Sequence, residues 1–297
     1  MRKIYHIDCT LRDGGYYNLW NFKDEVVEKY IETMENLKID YVEIGFRFLK
    51  NKRDLGPFAF SSEKLLKKLQ ISKKIKLCVM INAGDFTLAN LKKELNSLFV
   101  NKSKSQISLV RIAIHSKEIE IALLASQILK NMGYKTAINL MQISEINFAF
   151  LTKFLKKINR KFVDIFYFAD SLGSLSPRQI KSICMVIKKS WKKPFGIHAH
   201  DNTESALQNT ICAIEDGAKF VDSTILGMGR GPGNTKTELL CSYLNKKNFK
   251  NYNLLFLTEI ITKYFMNLKK KYKWGTNLYY YFSANNKIHP TYVQTFL

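Results

Sequence analysis

The sequence predicts an α/β fold: a (β/α)8 TIM barrel carrying a C-terminal helical or irregular extension. Three observations lead there. Strand-sized apolar runs alternate with amphipathic segments of helical period, eight such pairs follow one another, and polar residues collect where the strands end. Eight units within about 245 residues suit a closed parallel barrel better than an open doubly wound sheet, and no Gly-rich dinucleotide-binding loop follows the first strand.

Taken in order, the strands are expected at Ile4–Cys9, Tyr41–Phe46, Ile75–Ile81, Ile107–Ile114, Lys135–Met141, Phe162–Ala169, Phe195–His200 and Phe220–Leu226. The helices between and after them are expected at Lys23–Leu37, Ser62–Leu69, Phe86–Phe99, Lys117–Met132, Ser144–Ile158, Pro177–Lys189, Thr203–Asp216 and Thr235–Leu244. Ser176-Pro177 and Gly217 are a start and a stop signal. Residues 1–245 then form the catalytic barrel. Residues 246–297 form an extension, helical over Asn253–Lys271 and aromatic, polar and irregular over Trp274–Leu297, placed to pack on or near one mouth of the barrel.

Composition narrows the function classes. The chain has 297 residues, 46% of them apolar, which excludes a disordered or fibrous protein. Its longest apolar runs fall well short of the roughly 20 residues that a membrane helix needs. Met1–Asp8 meets an Asp before an apolar leader could form, and the five cysteines are scattered without a CxxC pair; both point to a reduced, cytoplasmic chain. Lys and Arg number 47 against 25 acidic residues, a net charge of +22. Only 8 of the 47 are Arg, and the lysines form short runs at helix ends without interleaved aromatics, so a solvated basic surface is a better reading than a nucleic-acid site. Attraction of small anions fits either.

Barrel active sites form at the carboxyl ends of strands, and the polar residues there are few. Strand one runs into Thr10-Leu11-Arg12-Asp13-Gly14-Gly15, strand two carries Glu43, strand four holds Arg111 and ends at His115, and strand six ends at Asp170-Ser171. Strand seven ends in His198-Ala199-His200-Asp201-Asn202, and strand eight leads into Gly227-Met228-Gly229-Arg230-Gly231-Pro232-Gly233-Asn234. His198 and His200, two apart on a strand, leave the same face and can converge on one ion. Closure brings Asp13 and Asn234 within reach of them. Two imidazoles, a carboxylate and an amide oxygen suit Mn²⁺ or Mg²⁺ first, with Zn²⁺ or Co²⁺ as further options, and leave positions for a chelating substrate.

Asp8-Cys-Thr-Leu-Arg-Asp-Gly-Gly15, His198-Ala-His200-Asp-Asn202 and the Gly-rich run to Asn234 together resemble the HMGL-like, pyruvate-carboxyltransferase-type barrels, the DRE-TIM metallolyases. In motifs they are most similar to the 4-hydroxy-2-oxovalerate aldolases. The resemblance covers residues 4 to about 245. It implies that Asp13, His198, His200 and Asn234 hold a divalent metal, and that Arg12 and Glu43 stand beside it. It also implies chemistry through a metal-bound enolate. Hydroxymethylglutaryl-CoA lyases carry a catalytic cysteine where this chain has Gly231, which argues against that activity. The aldolases place a base histidine where this chain has Tyr16; Tyr16, Tyr17, His115, His289 and Tyr292 are the candidate bases.

Asn139, Asp170 and Ser171, with Arg12, are expected to bind substrate, and Asp201 and Asn202 to orient the histidines. Asp170 could serve instead as a loop lead-in, Arg12 as a structural ion pair with Glu43 or Asp13, and His289-Pro290 as a surface turn. The expected activity is that of a metal-dependent aldolase acting on a 2-oxoacid such as pyruvate and an aldehyde. An acyl-CoA-dependent Claisen synthase of the isopropylmalate or homocitrate type is the nearest alternative, and a polyanion-binding barrel without turnover is one of another class. A homo-oligomer is left open, and the end at Thr295-Phe296-Leu297 leaves room for a longer parent protein.

Overall fold

The structure is a computed structural model that describes residues 3–49, 54–72 and 74–297. The strands are β1 (Tyr5–Asp8), β2 (Tyr41–Phe46), β3 (Lys76–Asn82), β4 (Ile107–Ile114), β5 (Lys135–Leu140), β6 (Ile165–Asp170), β7 (Phe195–Ala199) and β8 (Phe220–Ser223). Each pairs in parallel with the next, and β8 pairs with β1 through Tyr5 opposite Phe220 to Asp8 opposite Ser223, closing the barrel. This is the TIM barrel expected from the alternation.

The helices follow from amphipathic spacing. In Asp24–Leu37 the buried set Val26, Val27, Tyr30, Ile31, Met34 and Leu37 recurs every three or four residues, each such burial contributing about 1.5–3 kcal/mol. Lys38 ends the helix in the left-handed region, its N–H donating to the Glu35 and Met34 carbonyls. Ser176 and Gln179 close a capping box on Pro177–Ser190.

Where elements differ from expectation, local hydrogen bonds explain it. The strand expected from Phe162 begins at Ile165, because the Phe162 and Val163 amides donate back to Asn159 in a turn. Strand eight stops at Ser223: the next residues coil into a 3-10 turn, with the Ile225 amide donating to Thr10 Oγ1 at 2.9 Å. The segment Trp274–Leu297, expected to be irregular, is mostly helical. The Asn277 side chain caps Leu278–Asn285, and Pro290 occupies the first turn of Pro290–Phe296, where its missing N–H costs nothing.

The tail seats on the loops at the carboxyl end of the barrel. Trp274 Nε1 donates to the Leu226 carbonyl at 3.0 Å, and Gln294 Oε1 accepts from the Gly231 amide at 3.0 Å. Among the described residues no helix is long and apolar enough to cross a membrane.

Packing is in two shells. A large apolar layer lies between strands and helices, while Ile7, Tyr41, Leu109, Ile165 and Phe220 fill the lower barrel interior. His6, on the outward side of β1, is fully buried with its Nε2 2.6 Å from Ser223 Oγ. Burial holds its imidazole down to about 4 from 6.5, opposed by Asp40. As pH falls from 6.5 to 4 the unfolded chain takes up this proton and the folded one does not, so stability present above pH 6.5 is lost on acidification. The loss approaches 3 kcal/mol at about 1.4 kcal/mol per pH unit. Denaturant melts of the wild type and His6→Asn across that range should diverge in slope; parallel curves would contradict it.

Candidate active site

Strand alternation turns successive inward side chains into layers along the barrel axis. Above the apolar floor lies a charged layer. The guanidinium of Arg111, fully buried, donates to Glu43 Oε2 at 3.1 Å and to Asp222 Oδ2, and its Cζ sits 4.3 Å from the centre of the Tyr167 ring. Arg12 donates from Nε to the same Glu43 oxygen at 2.7 Å and from a terminal nitrogen to Asp13. Three carboxylates and two guanidinia thus pair with one another away from water, the condition under which buried charge is tolerated.

Above that layer the two histidines stand side by side, ring centroids 5.2 Å apart. His198 Nδ1 lies 2.9 Å from Asp222 Oδ2, which makes Nδ1 the donor and leaves the lone pair on Nε2. Burial raises the Asp222 carboxyl, but Arg111 and His198 outweigh it and hold it at about 2. His198 Nε2 faces Asp13 Oδ2 at 3.3 Å and lies 3.0 Å from Asn234 Nδ2. Asp13 Oδ2, Asn234 Oδ1 and His200 Nδ1 are buried with no hydrogen-bond partner. Burial, with Arg230 and His198 adding to it, pushes the His200 imidazole well below 6.5, so it is neutral and able to ligate.

The glycine loop is built to permit this approach. A Cβ on Gly229 would lie 1.8 Å from Asn234 Oδ1, and Gly233, at φ +87°, would place one 1.9 Å from the Gly227 carbonyl.

Among the described residues Cys9, His198 and Asp222, and not Asp13, His198 and His200, form a buried group whose ligand atoms all lie within 4.8 Å of one another. The residues present fit a cation better on the Asp13 side. Between His198 and Asp222 the donor of one already meets the acceptor of the other, and Arg111 holds the same carboxylate oxygen. On the Asp13 side, Asp13 Oδ2, Asn234 Oδ1 and His200 Nδ1 have no hydrogen-bond partner, and His198 Nε2 meets the Asn234 amide nitrogen at 3.0 Å.

The mouth cavity, about 450 Å³ including space open to solvent, is lined by Arg12, Asp13, Tyr16, Phe46, Met80, Asn82, Ala113, Asn139, Met141, Ala169, Ser171, His198, His200 and Arg230. Asn139 presents a buried, unpartnered Oδ1, and Ser171 Oγ accepts from the Gln142 amide at 3.0 Å. Asp170 lies outside this lining. Its carboxylate accepts from the Ser174 and Leu175 amides at 3.2 and 3.1 Å, and burial raises it to about 6 against those bonds, so it shapes the loop. Asp201 and Asn202 do not orient the histidines: Asp201 Oδ1 accepts from the Ala206 amide at 3.0 Å, and Asn202 Nδ2 donates to Tyr280 O and Ser283 Oγ, tying down the tail.

Of the candidate bases, Tyr16 lines the cavity, packed edge-on to Trp20. Burial raises its phenol, with Arg230 and Arg12 pulling the other way. Tyr17 is spent on the Gly231 carbonyl at 2.7 Å. His115 is exposed beyond β4, and Tyr292 is 73% exposed on the outer helix. His289 is half-buried at the start of the last helix, its Nδ1 accepting from the Thr291 amide at 3.4 Å, and burial with Arg230 and His115 lowers it to about 4.

A family profile decides the lineage: the HMGL-like profile matches residues 3–263. The chain belongs to the HMGL-like family. Within it, 4-hydroxy-2-oxovalerate aldolase of Carboxydothermus hydrogenoformans is 31% identical over 252 residues, 84% of this chain and 73% of its own. The protein of that name from Moorella thermoacetica is 27% identical over 269 residues, 88% of this chain and 77% of its own. The crystal structure of the N-terminal domain of a proposed aldolase from Bacteroides vulgatus superposes with a TM-score of 0.88 at 38% identity, over 99% of this chain and 96% of that one. This HMGL-like chain is therefore a DRE-TIM barrel of the aldolase, carbon–carbon lyase, branch.

Reading the HMGL-like sequence alone missed Asp222, and named Arg111 and Arg230 among the strand-end polar residues without giving either a role. For the first two a signal existed: a charged residue inside an apolar strand is sustainable only when paired.

Proposed function

We propose that this HMGL-like barrel is a divalent-metal-dependent aldolase of the 4-hydroxy-2-oxoacid type, joining a 2-oxoacid such as pyruvate to an aldehyde and cleaving the product. The observation that carries this reading is that three buried acceptors, Asp13 Oδ2, Asn234 Oδ1 and His200 Nδ1, have no hydrogen-bond partner, with His198 Nε2 3.3 Å from the first of them. Asp13, His198 and His200 would hold the ion, with Asn234 as a fourth ligand, and the oxygen-rich set favours Mn²⁺ or Mg²⁺. Such an ion supplies positive charge to the carboxylate and keto oxygens of a 2-oxoacid.

The protein's own residues do the rest. Arg12, held by Glu43 and Asp13, presents its remaining guanidinium nitrogen to the cavity, where it stabilises negative charge that grows on the keto oxygen. Asn139 and Ser171 orient the oxoacid. Phe46, Met80 and Met141 supply an apolar wall that limits water. A water beside Tyr16 takes the methyl proton, the carbon–carbon bond forms to the aldehyde carbon, and Tyr16, whose phenol burial keeps protonated, gives a proton to the new alkoxide and regains one from that water.

Exchange of the pyruvate methyl protons into deuterated water tests this without knowledge of the aldehyde. Exchange should be seen by proton NMR, fall at least tenfold with chelator, and return with Mn²⁺ or Mg²⁺. Exchange indifferent to chelation, or none at all, would refute the reading.

A further inference from the structure

Arg230 projects from the Gly227–Asn234 loop into the cavity. Every other cationic guanidinium in or under the cavity is neutralised: Arg12 by Asp13 and Glu43, Arg111 by Glu43 and Asp222. Arg230 makes no ion pair or side-chain hydrogen bond among the described residues, and its Nε is buried without a partner. Its Cζ lies 5.5 Å from the centre of the electron-rich Tyr16 ring. A half-buried cation left without an anion is unfavourable unless a ligand supplies one.

The loop is also held still. Tyr17 donates to the Gly231 carbonyl at 2.7 Å, the Gly231 amide donates to Gln294, and the Gly233 amide donates to the Arg230 carbonyl at 3.2 Å. Arg230 thus sits on the loop that the tail contacts and borders Tyr16, in the same cavity as Arg12, Asn139 and Ser171.

We propose that Arg230 is a specificity residue that binds an anionic group, carboxylate or phosphate, on the aldehyde acceptor. The guanidinium fork matches either oxyanion, and the net charge of +22 favours approach of such substrates. The inference rests on the aldolase reading for the word acceptor, and on the geometry of Arg230 for the anion.

The test compares condensation of pyruvate with succinic semialdehyde, glyceraldehyde 3-phosphate and propanal by the wild type, Arg230→Gln and Arg230→Lys. The wild type should favour one or both charged acceptors over propanal. The ratio of kcat/KM for that acceptor to kcat/KM for propanal should fall about 10- to 100-fold in Arg230→Gln and be partly restored in Arg230→Lys. Which charged aldehyde loses more distinguishes a carboxylate from a phosphate. An unchanged ratio, or a wild type that prefers propanal, would overturn the proposal. A second arm needs no turnover: calorimetric titration with succinate and with inorganic phosphate should give at least tenfold weaker binding of one of them in Arg230→Gln. Absence of pyruvate methyl exchange would defeat the aldolase reading, while equal anion binding by wild type and variant would defeat this one.

Discussion

Replacing Asp13 by Asn is expected to lower pyruvate methyl exchange by about three orders of magnitude and to leave no tightly bound divalent ion, while the chain still folds. The amide keeps the volume of the carboxylate and can still accept from Arg12, so the packing under the Met228 loop is undisturbed. What it removes is charge. Among the described residues Asp13 contributes the sole carboxylate oxygen that faces His198 Nε2, and without it two imidazoles and an amide would have to hold the cation beside the Arg12 guanidinium. Losing several kcal/mol of charge stabilisation at about 1.4 kcal/mol per factor of ten gives the predicted size. Metal content by mass spectrometry and exchange by NMR should fall together. A variant that keeps its ion but loses exchange would make Asp13 a proton-transfer group; one that keeps both would remove it from the site.

The parts of this molecule that could be read in its sequence are those where one local rule dominates. His198 and His200 were legible because strand alternation puts residues two apart on one face, and His200, one residue past the end of β7 at Ala199, is held by a bridge to Asn234. Asp13 was legible because the end of β1 is also the mouth of the barrel, and closure alone brings it to β7. Asp170 shows the limit. Its position at the end of β6 is that of a site residue, yet its carboxylate satisfies two loop amides, and no pattern along the chain announces which acceptor a buried carboxylate will serve. The tail was misread for a related reason. Leu278–Asn285 has little amphipathic periodicity, being aromatic on several sides, so its helical state comes from the Asn277 cap and from docking on Asn202. Arg230 was hidden by its glycine neighbours, which signalled a loop and said nothing of the side chain's free charge.

Removing Asp222 alone should be the most destabilising change in the barrel interior. Its carboxylate is the counter-ion of fully buried Arg111 and the acceptor for His198 Nδ1. Asp222→Ala leaves that guanidinium with only a share of Glu43, whose same oxygen already accepts from Arg12, away from water. Breaking a buried pair in this way costs about 3–5 kcal/mol, which for a chain of this size lowers Tm by roughly 10 °C. Taking out both members, Arg111→Met with Asp222→Leu, removes the stranded charge and should recover most of that loss, since Glu43 keeps Arg12. Function should not recover with it. With no acceptor at Nδ1, His198 no longer has its lone pair fixed on Nε2, and divalent-ion affinity should stay 10- to 100-fold below wild type in the double variant. Calorimetric melts and metal titrations on the two variants separate the roles. Equal destabilisation by single and double changes would mean that the layer is held by packing and not by charge. Full metal affinity in the stable double variant would mean that Asp222 supports the barrel without positioning the histidine.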